Sequence, residues 1–229
     1  MSSAKTATSS PTGTGTREIE WQLAVTDLEA VRRWLEKHKK IGALLIQPRP
    51  RKILRDTYLD TGDWRIFLAD FALRLRETSD GAEATLKSLR SAREGLADRQ
   101  EITEPLPEPD DWLRNAHGAV GARVREIADG VPLKTLFTVH TKRERFAVHN
   151  PLHPANIGEI ALDETEFRSA ANVSLGRLQR IEVEALGPPL AALERLVATL
   201  QEQCDLEPAP ENKFAVGLRL TGLVPPPPM

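Results

Sequence analysis

Cysteine is almost missing from this sequence, which excludes folds that depend on disulfide bonds. Among the 229 residues only Cys204 is a cysteine, so no bridge can form within the chain. The five histidines show no zinc-like spacing relative to it. Because disulfides are excluded and residues 1–16 have no apolar stretch of the signal-peptide type, we expect a cytoplasmic protein.

Aromatic residues, excess charge and long apolar runs are also scarce. Aromatics make up 5% of the chain, which argues against a nucleic-acid reader that stacks on bases. The 31 basic and 33 acidic residues leave a net charge of −2, whereas general polyanion binders are basic overall. No apolar run is long enough to span a membrane, and no glycine-rich phosphate loop of the Walker or Rossmann type occurs. We therefore expect neither a nucleic-acid partner nor membrane association.

The remaining composition is sufficient for one sizeable folded domain, since 40% of the residues are apolar. Residues 1–16 are mostly Ser, Thr, Ala and Gly, and we expect them to be disordered. A single domain is expected over residues 17–222. A short proline-rich tail is expected at 223–229.

Alternating apolar and charged residues predict a chain dominated by strands. Strands are predicted at 17–25, 51–61, 71–78, 82–89, 98–106, 133–149, 157–167 and 173–186. Helices are predicted at 27–40, within 62–70, at 109–129 and at 189–203, while 212–220 fits either a short helix or a strand. About eight strands with few helices between them indicate an α+β fold or a closed antiparallel barrel rather than alternating βαβ units.

Five predicted strands each carry two charged residues separated by one position, which places both side chains on one face of the strand. The pairs are Glu18/Glu20, Arg74/Arg76, Arg99/Glu101, Arg143/Arg145 and Glu182/Glu184. In an ordinary half-buried sheet such faces lie in water. In a closed barrel of about eight strands they could instead line a lumen that holds one small ligand. The residues alone leave both interpretations open.

The lumen interpretation has a definite chemical consequence. The acidic pairs would bind a hard divalent cation such as Mg²⁺, while the arginines and Lys87 would bind phosphate oxygens. Because unpaired buried charges are costly, such a lumen makes sense only for a ligand that brings both signs of charge. A polyphosphate together with its metal ion is a ligand of this kind.

Eight short motifs follow one another along residues 18–220, namely EIEWQL, RDTYLDT, ALRLRET, TLK, TKRERF, ALDETEF, IEVEAL and NKF. In this order the sequence resembles the CYTH superfamily, the triphosphate tunnel metalloenzymes. The resemblance implies an eight-stranded antiparallel tunnel with helices packed outside, and Mg²⁺ or Mn²⁺ as cofactor. It also implies a small-molecule triphosphate substrate. Members of the family hydrolyse inorganic tripolyphosphate, thiamine triphosphate or nucleoside triphosphates, and others cyclise ATP.

The resemblance also assigns roles to individual residues. The metal ligands that it implies are Glu18, Glu20, Asp163, Glu182 and Glu184. The phosphate-binding residues that it implies are Arg74, Arg76, Lys87, Arg99, Arg143, Arg145 and Lys213. The implied catalytic residues are Glu18, Glu20 and Glu101. In this scheme Glu101 or one of the acidic pairs orients the attacking water.

The sequence departs from the family at Gln22, where the first motif ordinarily ends in lysine. Glutamine keeps a hydrogen-bonding group but loses a positive charge, for which Arg17, Lys52 or Arg55 are candidates to compensate. Three functions stay open: a metal-dependent triphosphatase, a class IV-type adenylyl cyclase, and a non-catalytic binder of triphosphate or polyphosphate. If the chain is a binder, restoring lysine at position 22 should greatly raise turnover. A CHAD-type polyphosphate-binding partner is conceivable as a separate protein.

Overall fold

The computed structural model describes residues 15–89, 96–106, 118–152 and 156–227, within which the chain forms ten strands and five helices. The strands are β1 (Thr16–Ala24), β2 (Lys40–Ile41), β3 (Leu44–Thr61), β4 (Phe71–Thr78), β5 (Gly81–Ser88), β6 (Leu96–Leu106), β7 (Leu133–His149), β8 (Asn156–Ser169), β9 (Ser174–Ala185) and β10 (Glu207–Pro208). The helices are α1 (Leu28–Lys37), α2 (Arg65–Leu68), α3 (Ala119–Ala128), α4 (Leu190–Cys204) and α5 (Lys213–Thr221). Most of the segment 1–16, for which we expect disorder, lies outside the described residues.

Eight of these strands close into an antiparallel barrel in the order β1–β6–β5–β4–β3–β7–β8–β9 and back to β1. Closure depends on β1, whose first half pairs with β6 and whose second half pairs with β9. Glu18 thus lies opposite Arg99, and Glu20 lies opposite Glu184. The short strands β2 and β10 pair with β3 and β1 at the edges. The predicted α+β class with a closed eight-stranded barrel is confirmed.

Over most of the barrel the apolar strand faces point outward, where helices cover them. Helices α1 and α4 pack over β1, β8 and β9 in a cluster that includes Leu35, Ile181 and Leu196. Helices α2 and α3 pack over β4, β5 and β6 in a cluster that includes Ile66 and Val124.

The third cluster, at helix α5, includes Phe137 and Phe167. These two side chains share the strand faces of Arg143 and Asp163, so α5 packs against the inward faces at one end of the barrel. Away from that end, the faces opposite the first two clusters form the barrel interior.

Strand β3 is longer than predicted, since it begins at Leu44 rather than at residue 51. Its first part contains Pro48 and Pro50, and proline cannot donate a hydrogen bond to a sheet. The strand nevertheless pairs with β7 along its length, with a shift in register between Arg49 and Lys52. The long partner β7 therefore outweighs the weak local preference of this segment for strand.

Helices α1 and α3 differ from prediction at their ends. Helix α1 stops at Lys37 rather than at residue 40, because the short strand β2 follows it. The helix predicted at 109–129 falls partly on residues 107–117, which lie outside the described residues, and its described part is α3. In the part of the chain that the structure describes, no helix is both long and apolar enough to cross a membrane.

The segment 212–220, which fits either helix or strand by sequence, forms helix α5. The side chain of Asn212 caps it by accepting a hydrogen bond of 2.9 Å from the backbone N–H of Ala215. Lys213 is therefore the first helical residue, and its side chain is buried at the barrel. Further along, Gly217 lies directly on the ring of Phe137, where an added Cβ would overlap the ring. The helix thus holds Lys213 at a fixed place over the barrel.

Candidate functional site

The charged faces of the barrel strands converge on a central cavity of about 180 Å³. Its wall contains almost all of the site residues predicted from the sequence, namely Glu18, Glu20, Arg74, Arg76, Lys87, Arg99, Glu101, Arg143, Glu182, Glu184 and Lys213. Two predicted residues, Arg145 and Asp163, do not line this cavity. The charged faces of these strands therefore line the barrel lumen and do not lie in solvent.

Lys87 is the centre of an acidic wall formed by β1, β5 and β6. Its ammonium group contacts Glu18 and lies 3.5 Å from Oε1 of Glu20 and 3.7 Å from Oε2 of Glu101. Arg99 contacts the Glu20 carboxylate from the neighbouring strand. The register explains these contacts, because Lys87 lies opposite Glu101 and Arg99 lies opposite Glu18. One lysine and one arginine thus serve three carboxylates on this wall.

The carboxylates around Glu20 differ in how well their charge is compensated. Burial, together with the neighbouring charge of Glu20, raises the pKa of Glu18 to about 7. Burial and the charge of Glu20 also raise the pKa of Glu184. Burial alone would raise the pKa of Glu20, but the cations Lys87 and Arg99 hold this pKa below its usual range. Negative charge at Glu18 and Glu184 is therefore only partly compensated by the protein itself.

Arg143 and Lys213 organise the opposite wall, which β7, β8, β9 and the start of α5 form. Arg143 donates hydrogen bonds of 2.8 and 2.6 Å to the two oxygens of Asp163 and also contacts Glu182. Lys213 donates to Asp163 at 2.5 Å and to Glu182 at 2.8 Å. Although burial opposes it, Lys213 and Arg143 hold the pKa of Glu182 well below its usual range. Both oxygens of Asp163 and of Glu182 are engaged by these two cations, so both carboxylates orient them, and the metal-ligand role of the two residues stays a prediction.

Arg74 and Arg76 project into the cavity from β4, and β3 supplies partners that were not predicted. Asp56 lies opposite Arg76 and accepts two hydrogen bonds from it. Tyr58 lies opposite Arg74 and lines the cavity beside it. Arg74 also donates a long hydrogen bond of 3.4 Å to Thr85. The signal was present in RDTYLDT, because Asp56 and Tyr58 are two positions apart and share one strand face.

Arg145 lies at a second opening of the barrel instead of in the central cavity. It donates hydrogen bonds of 2.8 and 2.6 Å to Glu159, another residue that was not predicted. Lys52 and Asp80 form an ion pair of 2.8 Å at the same opening. Arg76 lines both the central cavity and this opening. The interior is therefore a tunnel that continues from the cavity toward Arg145.

A family model decides what this charged tunnel represents. The model of the CYTH domain matches residues 16–217, which include every strand of the barrel. The chain belongs to the CYTH-domain family. The resemblance drawn from the eight ordered motifs is thus confirmed.

Several solved structures share the fold of this CYTH protein. HpAC1 from Hippeastrum, which is described as having a dominant triphosphatase activity, is 19% identical, and the alignment covers 88% of this chain and 95% of that one with a TM-score of 0.61. A protein from Bacillus halodurans, described as a candidate adenylate cyclase, is 22% identical over 87% of this chain and 97% of its own, with a TM-score of 0.56. PH1819 from Pyrococcus horikoshii is 19% identical over 88% and 98%, again with a TM-score of 0.56. At these identities the similarity establishes the fold, and no curated protein matches the chain in sequence.

The CYTH tunnel offers the donor chemistry of a hard divalent cation. Mg²⁺ and Mn²⁺ prefer carboxylate oxygens, and Glu18, Glu20 and Glu184 bring such oxygens to one region of the wall. The raised pKa of Glu18 and of Glu184 fits a place where further positive charge would be stabilising. Within the described residues, no three potential ligand side chains yet converge on one point. A metal ion would therefore have to draw Glu18 and Glu20 away from Lys87 and Arg99.

Gln22 lies beside this acidic wall, and its side-chain nitrogen donates a hydrogen bond of 2.6 Å to Oε1 of Glu20. The three residues expected to compensate for the missing lysine lie elsewhere. Arg17 forms an exposed ion pair with an aspartate of β6, Lys52 lies at the second opening, and Arg55 is exposed. That expectation was therefore wrong for all three. Arg17 and Arg55 lie on outward strand faces, and Lys52 lies farther along the tunnel from Gln22.

Proposed function

We propose that this chain is a metal-dependent triphosphatase that hydrolyses inorganic tripolyphosphate or a small organic triphosphate such as thiamine triphosphate. The observation that carries the proposal is the mixture of charges in one buried cavity, where six cationic and several acidic side chains face each other. A ligand that is only anionic would be repelled by the acidic wall, and one that is only cationic would be repelled by the arginines. A triphosphate with a divalent cation satisfies both.

The cationic side chains are arranged to bind the phosphates. Arg76 and Arg143 present guanidinium groups that can donate two hydrogen bonds to phosphate oxygens. Their own orientation is set by the buried carboxylates of Asp56 and Asp163. Lys213 is held at the wall by the same Asp163. Such donors need little reorganisation as negative charge develops on the phosphates, which is how protein groups favour phosphoryl transfer.

The acidic wall supports the other half of the reaction. Glu18, Glu20 and Glu184 would hold a divalent cation, which when bound neutralises phosphate charge and makes the phosphorus more electrophilic. Although burial opposes it, Lys87 and Arg74 hold the pKa of Glu101 below its usual range, so this carboxylate is ionised at neutral pH. Glu101 can therefore orient an attacking water and accept its proton. Lys87 contacts Glu18 and Glu101, and in this scheme its ammonium group turns toward the departing phosphate.

The test is phosphate release from tripolyphosphate, thiamine triphosphate and ATP in the presence of Mg²⁺ or Mn²⁺, with cyclic AMP followed in the ATP reaction. We expect metal-dependent release by the wild type and its loss in Glu18→Ala. Glu164→Ala removes an exposed carboxylate from the outer face of β8 and serves as the matched control.

Each alternative outcome has its own meaning. Cyclic AMP without phosphate release would replace the triphosphatase by a cyclase. Binding of tripolyphosphate without release of phosphate would indicate a non-catalytic binder. Neither binding nor release would overturn the assignment of a triphosphate ligand.

A further inference from the structure

Arg180 is a buried cation in the barrel that none of the roles above employs. It lies on β9 and shares the inward face with Glu182 and Glu184, because side chains alternate along a strand. The residue is 2% exposed. In the ladder between β1 and β9 it lies opposite Ala24, two positions along from the pair formed by Gln22 and Glu182. Its place in the fold is therefore next to Gln22, the chief departure of the sequence from its family.

The guanidinium of Arg180 contacts an amide and a backbone carbonyl instead of a carboxylate. Nη1 donates a hydrogen bond of 3.2 Å to Oε1 of Gln22, and Nη2 donates one of 2.6 Å to the backbone oxygen of Glu211. Its Nε has no hydrogen-bond partner within the described part of the chain. Arginine stays protonated in proteins, so a full positive charge is buried here. Its hydrogen bonds go to a neutral side chain and the backbone, while Asp163 lies opposite it on β8.

Gln22 connects this charge to the cavity wall. Its nitrogen Nε2 donates to Glu20, while its oxygen Oε1 accepts from Arg180. The reverse orientation of the amide would turn its NH₂ group toward the guanidinium and its oxygen toward the carboxylate, so the two charged neighbours fix its direction. Gln22 lines the cavity whereas Arg180 does not. The positive charge of Arg180 thus reaches Glu20 through an oriented amide.

We propose that Arg180 supplies, from the neighbouring strand, the positive charge that position 22 lacks, and that Gln22 transmits it to Glu20. Arg180 is then a positioning residue, and the three residues form an Arg180–Gln22–Glu20 relay. The proposal rests on the function proposed above and gives Gln22 a part in a working site. It also reverses the expectation that lysine at position 22 would raise turnover, because its ammonium group would be pressed against the Arg180 guanidinium.

A double-mutant cycle, in which the double variant carries the positive charge at position 22 instead of position 180, tests the relay. The wild type is compared with Gln22→Lys, Arg180→Met and the double variant, and tripolyphosphate affinity is measured separately from the rate of phosphate release with Mg²⁺. Each single variant should lose roughly tenfold in the efficiency of phosphate release, one through repulsion and the other through loss of charge. The double variant, which moves the charge from position 180 to position 22, should recover most of that loss. A merely structural role of Arg180 would not produce such a recovery.

Two control variants make the same chemical changes on the outside of the same strand. Gln179→Lys and Arg177→Met alter exposed residues of β9, and both should leave affinity and rate unchanged. A gain in turnover by Gln22→Lys alone would overturn the relay. Losses that simply add in the double variant would overturn it as well, because independent sites add and coupled sites do not.

The design also separates the relay from the proposed function. If the wild type neither binds nor hydrolyses any of the triphosphates, the proposed function has failed, and the relay is judged by the unfolding temperatures of the same four proteins. The relay predicts that both single variants unfold at lower temperature than the wild type and that the double variant returns toward it. A double variant that is less stable than either single variant would overturn the relay on this measurement.

Discussion

Asp56 and Arg76 lie opposite each other on β3 and β4 and form a bidentate ion pair, with Nε 2.7 Å from Oδ1 and Nη2 2.8 Å from Oδ2. Arg143 and Asp163 repeat this arrangement on β7 and β8. In both pairs the carboxylate is buried and the arginine lines the cavity. Arginines held in this way lose little further freedom when they bind phosphate, so the paired carboxylates contribute to binding without touching the ligand.

The Asp56–Arg76 pair predicts a contribution to stability that depends on pH. Although burial opposes it, Arg76 lowers the pKa of Asp56 from an ordinary 3.8 to about 2. The unfolded chain therefore takes up a proton at a higher pH than the folded chain does. The stabilisation is complete above the unfolded pKa and is lost as the pH falls toward the folded one.

Replacing Asp56 by asparagine should accordingly lower the free energy of unfolding by about 2 kcal/mol at neutral pH, and the difference from the wild type should shrink below about pH 4. Urea unfolding at a series of pH values measures this. Asp98→Asn, which disrupts the exposed pair with Arg17, is the comparison and should change stability much less. A difference that stays constant down to low pH would contradict the assignment.

Asp163→Asn distinguishes a positioning role from a metal-ligand role. Because Arg143 and Lys213 both donate to this carboxylate, the variant should weaken tripolyphosphate binding about tenfold, whether or not Mg²⁺ is present. Calorimetry in EDTA and in Mg²⁺ provides the measurement. Glu20→Gln, by contrast, should change the Mg²⁺ requirement. If Asp163→Asn altered only that requirement, Asp163 would be a metal ligand after all.

Glu184→Gln should raise the Mg²⁺ concentration needed for half-maximal phosphate release. Burial and the charge of Glu20 raise the pKa of Glu184, so a nearby divalent cation would stabilise its negative charge. The neutral amide of glutamine cannot provide this attraction for the cation. We expect an increase of roughly threefold to tenfold. Phosphate release is measured as a function of Mg²⁺, and EDTA should abolish it. Glu194→Gln, on the exposed face of α4, provides the control and should need no more Mg²⁺ than the wild type.

Gly217→Ala should destabilise the protein and weaken phosphate binding together. A Cβ at this position would overlap the Phe137 ring, so α5 would have to move away from the barrel. Overpacking of this kind costs about 1–3 kcal/mol, and moving α5 also moves Lys213. Gly62→Ala is the control, because its Cβ would meet nothing within 4 Å. Equal unfolding temperatures for the two variants would contradict this account of the helix contact.

The sequence by itself determined which charged residues of one strand share a face. Glu18 and Glu20, like Arg74 and Arg76, share a strand face because strand geometry repeats every two residues, and that repeat is a local property of the chain. The order of the motifs was equally sufficient to predict membership of the CYTH family and, through that resemblance, the closed barrel. These features need no knowledge of which strands become neighbours.

The tertiary structure alone decided which faces turn inward and which charges meet. Those outcomes depend on the register between strands that are far apart in the chain, as when β1 pairs with β9 and brings Arg180 next to Gln22. The sequence showed that Arg180 and Glu182 share a strand face, but it did not show that Arg180 is buried beside an amide. Register between distant strands is set by closure of the barrel and by packing under the helices, which the local pattern does not contain.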